Sequence, residues 1–277
     1  MKFQHIADVL RMDIVEGKYG VGQRIPTQQD LAKQFGVSRA TVQKALAELQ
    51  DGGWIESRQG SGATVLPRQN GHTRTVTTGR SPMVVLGPYI QAAFESPHVT
   101  LDLFTLTAES MDTHVRTQAV RIHTGEIQPQ SISMRLLLPS LDIQLAVPRA
   151  KDDPDDLRPL ERLRGISRRS IDSLRYALTE LQLLQLVPAV SVEIKTVAFT
   201  PSMKLYLLNG QEALFGLYRV VERPVELEGS MTDIYDVLGM GATLFRHVKD
   251  DDPKSRDSVF VDEAQRWFDS LWERLAE

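Results

Sequence analysis

Hydrophobic residues recur at helical spacing three times within the first 51 positions of the chain. The first stripe runs from Phe3 to Ile14 and closes in a glycine-containing turn between Gly17 and Gly22. A second, short helix is predicted after Thr27, because Asp30 follows three residues later and completes a capping box. Gly36 ends this helix.

The third stripe predicts a helix that begins after Ser38, a residue suited to capping free amide groups. Its apolar positions follow the i, i+3, i+4, i+7 spacing: Val42, Ala45, Leu46 and Leu49. A strand that starts at Trp54, a glycine-rich tip over residues 59–62 and a returning strand over 63–66 complete the segment. Two successive short helices followed by a hairpin are typical of a winged helix-turn-helix, whose second helix enters the DNA major groove.

This segment resembles the GntR family of bacterial repressors and activators over roughly the first 68 residues. The residues that carry the resemblance are Gly20, Gly22, Pro26, Leu31, Ala32, Val37, Ser38, Arg39, Thr41, Val42, Ala45, Leu46, Leu49, Gly53, Arg58, Gln59, Gly60, Ser61, Gly62 and Val65. The resemblance implies that Ser38, Arg39 and Thr41 at the front of the recognition helix, with Gln59 and Gly60 at the wing tip, make most DNA contacts.

The complete set of predicted DNA-binding residues combines the two helices with the wing. It consists of Thr27, Gln29, Ser38, Arg39, Thr41, Gln43, Lys44, Arg58, Gln59 and Gly60. Gln29 and Gln43 depart from the charged residues usual in the family, and glutamine prefers adenine where arginine prefers guanine. The operator is therefore expected to differ from the family's usual sequence. Other interpretations stay open: Ser38 as a cap alone, Gly60 as a turn glycine, and Lys44 as a neutraliser of the DNA backbone.

The remainder of the chain alternates strand and helix patterns, which predicts an α/β architecture in a multi-domain protein. Two strands that flank a helix suggest a parallel βαβ unit. The predicted strands are 99–106, 131–138, 190–199, 203–208, 213–221 and 224–227, and the predicted helices are 109–121, one that starts at Ser167, and 258–276. We predict a DNA-binding domain over 1–68, a polar linker over 69–82 and a sensing or dimerisation domain over 83–277.

One segment of the second domain is similar to the phospholipase D signature. Lys204 and Gly216 keep its spacing, but Ser202 stands where that family has histidine and Asn209 where it has aspartate. The resemblance implies a phospholipase D-like fold over roughly residues 96–221. A serine without an adjacent base cannot act as both nucleophile and proton carrier, so phosphodiester cleavage is not expected.

An anion pocket is the chemistry that this signature could retain, with Lys204 supplying charge and Ser202 and Asn209 supplying hydrogen bonds. The alternative is a lysine on the exposed face of a strand. Residues 118–128 give a weaker similarity to a chorismate-lyase-like fold. The fold of this domain and its ligand stay open between these interpretations.

Composition limits the remaining classes of function. The chain of 277 residues has a net charge of −4, whereas residues 1–69 carry nine Lys and Arg against seven Asp and Glu. An acidic balance argues against a general coat for nucleic acid. Without cysteines or an apolar stretch near 18 residues, and with six scattered histidines, we expect a cytoplasmic protein with no disulfide, membrane span, metal or other cofactor.

Two classes of function follow. The first is a transcription factor, a repressor, that binds a palindromic operator as a homodimer and carries a catalytically inactive second domain. This domain would sense a small anionic effector or a protein partner. The second is a phosphodiesterase or nuclease-like enzyme fused to a DNA-binding module.

Overall fold

A computed structural model divides the chain into two compact units, residues 1–75 and 76–277. The structure describes residues 2–15, 18–20, 22–51, 54–58, 62–66, 83–84, 86–237 and 244–277. The predicted linker, 69–82, lies outside these described residues. Within them, no helix is both long and apolar enough to cross a bilayer.

The N-terminal unit contains the three helices and the hairpin that the sequence predicts. They are α1 (Lys2–Val15), α2 (Gln28–Gln34), α3 (Arg39–Asp51), β1 (Ile55–Arg58) and β2 (Gly62–Val65). The predicted apolar stripes form one core, which includes Ile6, Leu10, Leu31, Val42, Ala45, Leu46, Leu49, Trp54, Ile55 and Val65. The core fixes α3 against α1 and leaves its opposite face exposed.

Side-chain caps at Thr27 and Ser38 start α2 and α3, and Gly36 lies in the turn between the two helices. The Thr27 hydroxyl accepts the Asp30 N–H at 3.2 Å and donates to the Asp30 carboxylate at 2.6 Å. Ser38 Oγ accepts the Thr41 N–H at 3.3 Å. Gly36 has a φ of +61°, a left-handed conformation that disfavours a side chain. The predicted caps at Thr27 and Ser38 are thus confirmed.

The wing has a third, extended segment that the sequence did not predict. Gly22 donates its N–H to the Val65 carbonyl at 2.9 Å, and Ile25 donates to Ala63 at 3.0 Å. Val65 in turn donates to Gln23 at 2.9 Å. Residues 22–25 therefore run along β2 and anchor the hairpin to the domain.

The second unit is a larger mixed structure of helices and strands. Its helices are α4 (Leu86–Phe94), α5 (Glu109–His123), α6 (Arg158–Leu183) and α7 (Arg256–Arg274). Its strands are β3 (Met83–Val84), β4 (His98–Phe104), β5 (Ser131–Pro139), β6 (Arg149–Ala150), β7 (Ala189–Val197), β8 (Met203–Leu208), β9 (Glu212–Leu217), β10 (Val220–Leu227), β11 (Ser230–Val237) and β12 (Leu244–Val248).

Seven of these strands form one sheet in the order β3-β12-β9-β8-β4-β5-β7. Strands β4, β5 and β7 are parallel, and the other pairs are antiparallel. The predicted βαβ unit is confirmed as β4, α5 and β5. A second sheet has the order β10-β11-β6.

Helices cover both faces of the large sheet. Apolar residues of α4, α5 and α6 pack with one face in a core that includes Ile90, Phe94, Met111, Val115, Leu174, Leu178, Leu101, Leu136 and Tyr206. Helix α7 packs on the other face through Val261, Phe268, Leu271 and Trp272. The aromatic residues Phe268 and Trp272 of α7 are therefore buried in the core of their own domain.

The largest boundary errors concern helix α6 and strands β9 and β10. Helix α6 begins at Arg158 rather than at Ser167, because Pro159 favours a first helical turn there. The predicted strand over 213–221 is two strands in different sheets, which separate at Tyr218. The Tyr218 N–H donates to the Ser202 carbonyl at 3.0 Å, and its hydroxyl accepts the Leu106 N–H at 2.9 Å. These bonds hold the chain where it leaves the large sheet.

Candidate nucleic-acid interface

The face of α3 opposite the core is exposed and polar. Arg39, Gln43 and Lys44 are exposed on this helix, whereas Val42 and Ala45 are fully buried. Ser38 is exposed directly in front of the helix. A helix with a free polar face of this kind can enter a major groove, while its other face stays bound to the domain.

Thr41 lies at the border of this face and is half-buried. Its hydroxyl is 2.9 Å from Ser38 Oγ, so the two hydroxyl groups at the start of α3 form a pair. Thr41 also lines a shallow cavity of about 220 Å³ with Phe3, Ala40 and Lys44. The start of α1 thus borders the predicted DNA-reading face, a proximity that the helical patterns did not indicate.

The other predicted DNA contacts divide between α2 and the wing. Thr27 and Gln29 are exposed at the start of α2. Arg58 pairs with Gly62 in the hairpin register. Gln59 and Gly60, the predicted wing tip, lie outside the described residues.

Arg24 is an exposed cation that sequence reasoning missed. It lies in the third segment of the wing, where it forms a β-bridge with Thr64. The neighbouring Ile25 is buried. An exposed arginine followed by a buried isoleucine is the alternation of a half-buried strand, and this signal could have placed Arg24 beside the hairpin.

The three predicted ligand residues of the second unit do not come together. Ser202 is exposed before β8, and Asn209 follows the six-residue strand at its other end. An extended chain rises about 3.3 Å per residue, so the Cα atoms of Lys204 and Asn209, five residues apart, are separated by roughly 16 Å. The Asn209 amide is engaged elsewhere, accepting the Thr100 N–H at 2.8 Å and donating to the Ala93 carbonyl at 3.0 Å.

Lys204 is buried, with 3% of its surface exposed. The alternative prediction, a lysine on the exposed face of a strand, was therefore wrong. Both faces of β8 are covered, because Leu205 and Leu207 face the α7 core while Tyr206 faces the other core. The Lys204 ammonium lies 5.6 Å from the centre of the Tyr218 ring. Burial lowers the pKa of Lys204 to about 8 and raises that of Tyr218 to about 12.

Stability of the second domain is expected to rise between pH 8 and pH 10. Folding lowers the pKa of Lys204 from 10.5 to about 8, so in this window the unfolded chain binds more protons than the native state. The free energy of unfolding should increase by about 2 kcal/mol. Above about pH 10 the trend should reverse, because burial raises the pKa values of Tyr206 and Tyr218.

Urea unfolding at several pH values measures this effect. Lys204→Met should abolish the rise between pH 8 and pH 10, whereas Lys254→Met, at an exposed site, should retain it. An equal rise in both variants would exclude Lys204 as its source.

Comparison with known proteins addresses the N-terminal unit. Residues 2–65 match the family model described as "Bacterial regulatory proteins, gntR family". The N-terminal domain is of the GntR type. This GntR-type domain coincides with the five elements and the single core described above.

Similar curated proteins match the same region. The chain is 43% identical over 63 residues to the mannosyl-D-glycerate transport/metabolism system repressor MngR of Escherichia coli (strain K12), covering 23% of this chain and 26% of that protein. It is 39% identical over 66 residues to the arabinose metabolism transcriptional repressor of Geobacillus stearothermophilus, covering 23% and 18%. The chain spans a quarter or less of the length of the first curated relatives it matches.

The crystal structure of AraR(DBD) in complex with operator ORX1 is also similar. It shares 38% sequence identity and covers 24% of this chain and 78% of its own, with a TM-score of 0.23. The phospholipase D-like resemblance of the second domain stays a prediction.

Proposed function

We propose that this chain is a DNA-binding transcriptional regulator, a repressor, that binds a palindromic operator as a homodimer. The observation that carries the proposal is the exposed polar face of α3 on a domain of the GntR type. Two relatives of this domain are named as repressors, one of arabinose metabolism and one of a mannosyl-D-glycerate transport/metabolism system. Their names support the class of function and leave the regulated genes of this chain to experiment.

The positions on and before α3 suggest a division of labour at the DNA. Ser38 precedes the helix N-terminus, which favours a phosphate group. Arg39 and Gln43 reach base edges, with arginine suited to guanine and glutamine to adenine. Lys44 neutralises phosphate, together with Arg24 beside the wing. Sequence is then read by Arg39 and Gln43, and register is set by the other contacts.

A dimer follows from the limited reach of one recognition helix. One helix covers a few base pairs, so two copies on half-sites about 34 Å apart are needed for a longer, specific site. An inverted repeat in the operator would match the twofold axis of such a dimer.

The second domain is proposed as a catalytically inactive sensor that receives a small anionic ligand or a protein partner in the cytoplasm. Of the predicted ligand residues, Lys204 is retained in this proposal because it is a buried cation beside Tyr218. Ser202 and Asn209 are too far apart along β8 to hold the same small anion. Ligand binding would shift the equilibrium between arrangements of the dimer that fit the two half-sites and arrangements that do not.

Selection of genomic DNA fragments by the purified protein tests the regulator. We expect enriched fragments to share an inverted repeat and to release the protein as salt increases. Fragments that show no common sequence would contradict sequence-specific binding. Loss of intact DNA during the incubation would favour the nuclease-like alternative.

Arg39→Ala is expected to weaken binding to a selected fragment by about 1–3 kcal/mol, the size of one good base contact. The loss should be largest for fragments that carry guanine at the contacted position. Arg175→Ala removes an equal charge from an exposed site in the second domain and serves as the matched control. A titration in which both variants bind alike would remove Arg39 from the reading residues.

A further inference from the structure

Strand β7 forms one edge of the seven-stranded sheet and is long for an edge. All nine of its residues, Ala189–Val197, pair with β5 on one side. Native proteins commonly shorten or cover such edges, because unpaired N–H and C=O groups offer a template for another strand. Among the residues that the structure describes, β7 is therefore the longer of the two edge strands of this sheet, since β3 at the other edge has two residues.

Hydrogen bonds show which residues of β7 face outward. Ala189 donates to the Gln130 carbonyl and the Val197 carbonyl accepts from Ser140, so the odd-numbered residues bond toward β5. Thr196 faces the other way, since it exchanges two backbone bonds of 2.8 and 3.0 Å with Glu277. The even-numbered Val190, Val192 and Ile194 share its orientation.

These three residues form a short window with defined ends, which we call the β7 window (Val190, Val192 and Ile194). At one end, Thr196 is already bonded to Glu277. At the other end, Pro188 has no N–H to donate. Within the described part of the chain, no hydrogen bond reaches the outward backbone groups of the window. Three donors and three acceptors thus stand in a row.

We infer that the β7 window pairs with the same window of a second copy of this chain, antiparallel, about a twofold axis at Val192. This inference rests on the proposed homodimer and assigns its interface. Val192 would face the partner subunit's Val192, and Val190 would face the partner's Ile194. All six groups on each subunit would then bond, giving six backbone hydrogen bonds and one continuous sheet through both subunits.

The ends of the window select this register. An axis at Ile194 would place Val192 opposite the partner's Thr196, whose groups Glu277 occupies. An axis at Val190 would place Val192 opposite the partner's Pro188, which lacks a donor. An axis at Glu193 would set two like charges directly opposite each other, which is unfavourable. Among these arrangements, only the axis at Val192 pairs all the outward groups of the window. This axis places the partner's Pro188 opposite Thr196, so the partner chain must turn away from the strand before its Ala189 to avoid Glu277.

Side chains on both faces of β7 suit this pairing. Val190, Val192 and Ile194 pack partly against the core under α6, and the partner would extend this apolar row. On the other face, Ser191 would lie opposite the partner's Glu193, where its hydroxyl can donate to the carboxylate. A second copy also has a window of the same length, so neither strand would leave outward groups unpaired.

Cysteine cross-linking tests the axis directly, because the chain contains no cysteine. In Val192→Cys the two new thiols would lie on opposed residues about 5.5 Å apart between Cα atoms, within disulfide range. We expect most of this variant to become a covalent dimer on mild oxidation. Glu193→Cys is the control, since its mate would be diagonal and about 7–8 Å away, at or beyond that range. The double variant Ser191→Cys/Glu193→Cys should restore cross-linking, because those positions oppose each other.

Sedimentation of the unmodified chain and of Val192→Pro completes the test. The chain should sediment at twice its 31.1 kDa mass, and the proline variant, with an unchanged circular dichroism spectrum, at about half of that value. A dimer in which Val192→Cys does not cross-link, or in which Glu193→Cys cross-links equally well, would overturn the β7 interface and leave the proposed dimer standing. A monomer that binds its selected fragment tightly would overturn both.

Discussion

Leu49→Ala is expected to unfold the GntR-type domain and abolish DNA binding, while the second domain stays folded. Leu49 is fully buried in the core that joins α3 to α1. Truncating a buried leucine costs about 2–5 kcal/mol, and a domain of this size rarely has more than about 3–5 kcal/mol to lose. The change thus removes most of the domain's stability without touching a predicted DNA contact.

Amide hydrogen exchange measured by mass spectrometry would separate the two units. In Leu49→Ala, amides within residues 2–65 should exchange nearly as fast as in an unfolded chain. Amides within residues 86–237 should exchange at the same rate as in the unmodified protein. Ala47→Ser, at an exposed site of the same helix, should leave both units protected. Protection of 2–65 in Leu49→Ala would show that the core tolerates the cavity.

The N-terminal domain was predictable because its signals are local. Each helix has its own cap or terminating glycine, and each apolar stripe has one period, so Thr27, Ser38 and Leu49 could be assigned without knowledge of the fold. The third segment of the wing was missed because its partner, β2, lies about 40 residues later in the chain. Arg24 was overlooked for the same reason.

Arg135→Ala is expected to destabilise the second domain by about 3 kcal/mol. Arg135 on β5 donates to both oxygens of Asp102 at 2.7 and 2.6 Å and to Asp269 of α7 at 2.7 Å. Its guanidinium also lies 5.1 Å from the Phe268 ring centre. Alanine would leave the carboxylates of Asp102 on β4 and Asp269 on α7 close together without their shared cation, which is costly for partly buried groups.

Urea unfolding would measure this loss against a charge-matched control. Arg266→Ala removes an arginine from the exposed side of α7, where its partner Glu263 is also exposed, and should change stability by less than about 1 kcal/mol. A deficit equal to that of Arg266→Ala would mean that α7 is held by apolar packing alone.

In the second domain, the sequence predicts where strands and helices occur better than it predicts which elements pack against one another. The βαβ unit was recovered because β4, α5 and β5 each have a clear period. The burial of Lys204 was missed because alternation along β8 marks only one apolar face, and the second face is covered by helices distant in sequence. The break at Tyr218 depends on bonds to Leu106 and Ser202, which no local pattern reveals.

Tyr218 makes the two sheets of the second domain mechanically dependent on one another. The residue stands where the polypeptide crosses between them, and its hydroxyl is tied to the segment that follows β4. Rotation of the smaller sheet would therefore pull on the end of the larger one. Tyr218→Phe removes the hydrogen bond to Leu106 but keeps the aromatic ring. We expect this change to accelerate hydrogen exchange of the Leu106 amide and of the β10 amides together.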